Sequence, residues 1–218
     1  MFWREDDPYQ LYEWNNIKFE VNLSFDNVLT FFELMEDEEL TNNEKFWIAF
    51  EMFVEDEGVA ESWGLHDRTE FILDFLRDKL QFDLRSNKNE ENREKIPSFD
   101  FVEDSGRIYA SFLFDYNMDL YAQQGKMSWS TFLSLFENLS SNTPFSQAVH
   151  YRTVKVPKKD KYNEDEIRHI HAMKEKYALK SDRIKKKLEK QQGQEAISKA
   201  MSFLHQIKGR QSGGEGIG

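Results

Sequence analysis

Phenylalanine recurs at helical spacing in separate parts of this chain, and no other feature restricts its fold as much. Phe46, Phe50 and Phe53, joined by Trp47 and Val54, repeat every three to four residues, and Phe71 and Phe75 do the same with Ile72, Leu76, Leu80 and Phe82. That periodicity gathers apolar side chains on one face of an α-helix, and such a face has to be covered by other elements. With 19 Phe in 218 residues and aromatics at 15%, the chain has the material for a packed core. A disordered chain lacks those large apolar side chains.

The remaining segments fall into place around these stripes. Residues 9–23 carry Leu11, Trp14, Ile17, Phe19, Val21 and Leu23 on both sides of Asn15-Asn16, and 17–23 alternates, which predicts a small hairpin. Ser24 or Asp26 then caps a helix to about Asp37, with Val28, Leu29, Phe31, Phe32 and Met35 as its apolar side. Thr41 with Glu44 forms a capping box that opens the helix carrying Phe46, and a third helix fits 68–82. Residues 86–97 are polar, end in proline and read as a linker. Further helices fit about 104–117, 128–140 from a Ser128 cap, and 144–152 with Pro144 in the first turn. Asn163 caps a helix to about Leu179, Ser181 opens a basic one to Gln192, and 195–207 is amphipathic before a glycine-rich, frayed end. The fold class is therefore mainly α: a compact helical domain over 1–157 with an N-terminal hairpin, its two helical clusters joined by the linker, and a basic helical extension over 158–218.

No run of apolar residues is long enough to span a membrane. The acidic start M-F-W-R-E-D-D-P has no apolar signal core, and the absence of cysteine excludes disulfides, thiol nucleophiles and cysteine-ligated metals. These features point to a reducing cytoplasm. The net charge of −11 is unevenly placed: residues 1–104 hold 28 acids against 10 bases, whereas 152–218 hold 17 bases against 9 acids. An acidic body with a basic tail is an electrostatic handle for partners, or simply a solvated surface.

Asp115 and Asp119 lie four apart in the aromatic stretch 107–120 and invite an acid/base reading. On a helix, Ile108, Tyr109, Phe112, Leu113 and Tyr116 form one broad apolar face, with Asp115 at its edge. Asn117 tolerates the left-handed backbone that ends helices, so Asp119 falls beyond the helix and caps a short turn over 120–124. Both carboxylates are then expected to accept hydrogen bonds rather than act as a catalytic pair. His169 and His171 point to different helix faces, and Glu166 with His169 lacks the second copy that a di-metal site needs. His66, His150 and His205 have no such neighbours. Phosphate-loop, dinucleotide, nucleophile-elbow and zinc-protease signatures are absent, so no catalytic residue, metal ligand or cofactor is expected.

Two C-terminal features speak for binding. Lys185, Lys186 and Lys187, with Arg183 and Lys190, form a basic cluster suited to phosphates or to an acidic protein surface. The lack of interleaved aromatics and the acidic body argue against nucleic acid. Ile197, Met201 and Leu204 lie on an apolar stripe with Ala196, Ala200 and Ile207, and that stripe must dock on its own body or on another chain.

The ordered series S-F-D-N-V-L (24–29), E-L (39–40), Y-A-S-F-L-F-D-Y-N-M-D-L (109–120), M-S-W-S-T-F (127–132) and F-S-Q-A-V-H-Y-R-T (145–153) resembles a family of phage proteins. They are encoded beside the tape-measure gene of long-tailed phages of Gram-positive bacteria and are regarded as tail assembly chaperones. The resemblance runs over about 9–180, and glycine is expected in that family where this chain has Asn117. It implies a non-catalytic protein of the host cytoplasm whose partners are the tape-measure protein and the tail tube protein, with self-association also open. On that implication Lys185, Lys186, Lys187, Ile197, Met201 and Leu204 are the partner-binding residues. Tyr109, Phe112, Asp115, Tyr116, Trp129, Phe132, Tyr151 and Arg152 define the fold. The competing readings are a structural component of the virion, a nucleic-acid-binding regulator using 181–190, and, least supported, a metal-dependent hydrolase built on Asp100, Glu103, Asp104, Asp115 and Asp119.

Overall fold

The structure, a computed structural model, describes residues 7–81, 85 and 98–180. They are mainly helical, with a two-stranded antiparallel hairpin at the N-terminal end. The chain divides into two compact units, residues 1–89 with 104–150, and residues 90–103 with 151–218. The anticipated linker over 86–97 and the helices anticipated from Ser181 and over 195–207 lie outside the described residues.

In the first unit, strands β1 (Tyr9–Trp14) and β2 (Ile17–Asn22) pair from Tyr9 opposite Asn22 to Trp14 opposite Ile17. The turn between them needs two residues of positive φ, and Asn15 and Asn16 supply 50° and 62°. The inner face carries Tyr12, Trp14, Ile17, Phe19 and Val21, with Ile17 partly exposed beside the turn, whereas Leu11 (71% exposed) faces outward. The alternation expected over 17–23 therefore holds, and among the apolar residues expected around the turn Leu11 is the one on the outer face. Tyr12 and Trp14 lie on β1's opposite face from Leu11, and aromatic burial outweighs that of one leucine.

Helices α1 (Phe25–Glu36), α2 (Asn42–Phe53), α3 (Glu57–Ser62) and α4 (Leu65–Leu80) follow. The short α3 was not anticipated, and α4 begins three residues ahead of the expected Arg68. Phe71 of α4 lies among Tyr12, Trp14, Phe19, Phe50, Trp63 and Phe75, all with ring centroids within 5.9 Å. This aromatic cluster is the core of the hairpin–helix half. The capping box at the start of α2 is present, with the Thr41 amide donating to Glu44 at 2.8 Å. Trp47, expected inside, is exposed and lies flat on Arg68, whose guanidinium carbon is 3.7 Å from the ring centroid. Arg68 is itself buried, donating to the Trp63 carbonyl at 3.0 Å and pairing with Glu51. Trp47 thus covers a buried cation rather than filling the core. Lys45 is also buried; its ammonium donates to the Met35 carbonyl at 2.9 Å, placing positive charge at the C-terminal end of α1.

Ser24 occupies the N-cap position of α1 but makes no capping bond with its hydroxyl. Its backbone instead bridges Ser128, flanked by Phe25 N to Met127 O at 3.0 Å and Trp129 N to Leu23 O at 2.8 Å. These bonds join chain segments about a hundred positions apart and bring α5 (Ser105–Tyr116), α6 (Trp129–Glu137) and most of α7 (Pro144–Thr153) into the same unit. Phe132 stacks on Phe25, Phe112, Trp129 and Phe136 at centroid distances of 5.1, 5.3, 5.4 and 5.7 Å.

The second unit is described over 98–103 and 151–180. Its helix α8 (Glu164–Tyr177) buries Ile170 and lays Tyr177 parallel to Tyr151, with centroids 5.7 Å apart. Asn163 sits at the N-cap without capping; its Oδ1 accepts from the Asp160 amide at 2.9 Å and closes the preceding loop.

Candidate functional site

The stretch 107–120 builds its site from the inside of α5 outward. The buried residues of α5 are Ile108, Ser111 and Phe112. A serine is tolerated there because its hydroxyl donates to the Arg107 carbonyl at 2.7 Å and accepts from the Phe145 amide at 3.0 Å, tying α5 to the start of α7. Tyr116 reaches α6, its hydroxyl donating to the Leu135 carbonyl at 2.8 Å. Asp104, fully buried, pairs with Arg107 at 2.7 Å.

Asp115 accepts from the Ser140 amide at 2.6 Å and the Ser140 hydroxyl at 2.8 Å, which holds the end of α6 to α5. Asn117 closes α5 in the left-handed region with φ 51°, as its residue type predicted. The chain then turns so that Asp119 accepts from the Tyr121 amide at 3.0 Å and opens the 3-10 turn Tyr121–Gln123. The two aspartates therefore hold separate pieces of backbone. Gly125 follows at φ 66° and donates to Asp26 at 2.9 Å, which fastens this loop to the first turn of α1.

The outer side of α5 departs from the sequence reading. Leu113, placed there on the buried face, is 44% exposed, and Phe114 is 67% exposed. The helix is anchored through 108, 111, 112 and 115, which turns 113 and 114 outward. The short polar ties of Ser111 and Asp115 are the signal that would have identified the inner face. Beside Leu113, the rings of Tyr109 and Tyr121 meet at 4.9 Å and 39°, with Tyr121 69% exposed. The Tyr109 phenol is pushed up by loss of water contact and then by the charge and hydrogen bond of Asp119. The outer face thus combines large apolar side chains, a tyrosine pair and one carboxylate.

In the second unit, Arg152 donates to the Ser98 carbonyl at 3.1 Å and to the Tyr177 carbonyl, and Lys174 donates to the Arg152 carbonyl at 3.0 Å. Arg152 therefore gathers three backbone segments of that unit. Asp100 accepts from the amides of Val102 and Glu103 at 3.0 and 2.8 Å, and Glu103 accepts from the Lys180 amide at 2.7 Å. Among the described residues, no group of three or more His, Asp or Glu is arranged to hold a metal ion. His169 and His171 are exposed, and the Tyr151 hydroxyl lies 3.5 Å from the His169 ring nitrogen. Lys185, Lys186, Lys187, Ile197, Met201 and Leu204 lie outside the described residues.

No curated protein and no solved structure matches the chain. A model of the family described as Bacteriophage Gp15 protein matches residues 6–179, nearly the same span over which the motif series resembles phage proteins.

Proposed function

The chain belongs to the Bacteriophage Gp15 protein family, and from that premise we propose that it is a non-catalytic tail assembly chaperone. In this reading it binds the tape-measure protein before the tail tube forms and yields to tail tube subunits as they polymerise. One observation carries it. The polar members of the motif series Asp115, Tyr116, Asp119 and Arg152 are engaged in holding backbone, while Leu113 and Phe114 of the same series, and Tyr121 just after it, face outward. Apolar burial supplies about 25 cal/mol per Å² to a reversible complex, and a densely charged remaining surface keeps that complex soluble. Lys185, Lys186 and Lys187 and the stripe of Ile197, Met201 and Leu204 are proposed as additional contacts.

Co-expression with the tape-measure protein of the same phage tests the role. The expected result is a soluble tape-measure protein that co-purifies with this chain and precipitates without it. Equal solubility in both cases removes the chaperone reading. Mass spectrometry of purified virions should find this chain scarce; a stoichiometric amount makes it a structural component instead.

A further inference from the structure

We propose that the outer face of α5, together with the 3-10 turn after it, docks a basic amphipathic helix of the partner. This deepens the chaperone reading and rests on it. On a helix, Gly106, Ala110, Leu113 and Asn117 form one line, with Tyr109 and Phe114 to either side. The line itself carries no charged residue, and Arg107, at its edge in line with Phe114, is paired with Asp104 at 2.7 Å. The outward face of α2 differs, since Trp47 and Ile48 there are flanked by Glu44 and Glu51. The α5 stripe extends for roughly 16 Å at a rise of about 1.5 Å per residue, a length suited to three turns of a second helix. A side chain added at Gly106 meets nothing within 4 Å, so a partner backbone can approach closely at that end.

The other end specifies charge. Asp119 is exposed beside Tyr109, and the tyrosine pair of 109 and 121 presents ring surface next to it. A lysine or arginine laid over those rings gains a cation–π contact and a carboxylate partner together. The matching occupant carries apolar residues at three-to-four spacing and a basic residue at one end. The body of a second copy fits less well, because residues 1–104 hold 28 acids against 10 bases, and only the basic part beyond residue 151 would suit this face, a case that the oligomeric state decides.

The test uses the full chain and overlapping helical fragments of the tape-measure protein from the same phage, with binding followed by interferometry. Leu113→Asp and Phe114→Asp are expected to weaken binding by about tenfold or more. Leu11→Asp, at an equally exposed apolar position on the hairpin, serves as the control and should bind as wild type. Asp119→Asn keeps an oxygen for the Tyr121 amide but removes the charge; it should weaken binding by about threefold at low salt and less at high salt. Circular dichroism verifies that each variant is folded. If Leu113→Asp and Phe114→Asp bind as wild type does, this surface is wrong and the chaperone role stands. If the wild type binds no fragment, both proposals fall. If the chain alone is a dimer that Phe114→Asp dissolves, the face belongs to a second copy and the helix proposal is overturned.

Discussion

Asn117 shows how far a single residue can be read before its surroundings are known. Its φ of 51° lies where L-residues with branched side chains are strained, and asparagine is among the few that accept it. The same tolerance makes Asn15 and Asn16 legible as a hairpin turn. Asn117→Val should therefore cost about 1–2 kcal/mol in urea unfolding, whereas Asn117→Gly should be near neutral. Equal loss in both variants would mean that the Asn117 side chain, not its backbone, matters. Leu113 is the opposite case. Its apolar character placed it on the buried face, but the hydrogen bonds of Ser111 and Asp115 to distant residues turned it outward. A preference of the backbone is local and can be read in one residue; the direction in which a helix is rolled is not.

At the scale of elements, the seam between the hairpin and α4 joins aromatic packing to a band of charge. Tyr12 donates to Asp78 and Trp14 to Asp74, both at 3.1 Å, while Arg85 bonds Asp74 and Glu70 at 2.6 Å each. The Tyr12 phenol is pushed up to about 12, first by burial and then by its hydrogen bond to Asp78 and that carboxylate's charge. Its unfolded value is 10.0, so folding favours the protonated phenol. The resulting stabilisation is fully present below pH 10.0 and is lost as pH rises toward about 12. Tyr12→Phe should flatten that part of the stability profile measured by chemical denaturation. An unchanged slope would assign the alkaline loss to other groups. Asp74 behaves oppositely: burial raises its carboxyl, but the bonds from Trp14 and Arg85 together with nearby positive charge bring it below 3.8 overall. Its contribution is present above pH 3.8 and is lost as pH falls through the lowered value. The helical stripes of α2 and α4 predicted that these elements would pack, but not that β1 would present Tyr12 and Trp14 to them rather than Leu11.

At the scale of the whole molecule, Phe132 joins what the chain order separates. It stacks on Phe25, from the start of α1, and on Phe112, from α5, in one column of near-parallel rings. Phe132→Ala should destabilise the fold by about 3–5 kcal/mol through lost burial and an unfilled cavity. Because Trp14 and Trp63 lie in the hairpin seam and Trp129 beside Phe132, tryptophan fluorescence and far-ultraviolet dichroism should shift together. Separate transitions would show that the hairpin half and the α5–α6 half of this unit unfold independently.

The sequence by itself determined most of the described helices, the Thr41 and Ser128 caps, the Asn-Asn hairpin, the left-handed end of α5 and the motif series of a phage family. These depend on side-chain period, backbone tolerance and short-range hydrogen bonds, all of which act within a few residues. Only the tertiary structure decided which faces turned inward, because that choice depends on bonds such as Phe25 to Met127, Asp26 to Gly125 and Asp115 to Ser140, made between segments far apart in the chain. The same long-range bonds leave Leu113, Phe114 and Tyr121 outside, where local pattern alone had no means of placing them.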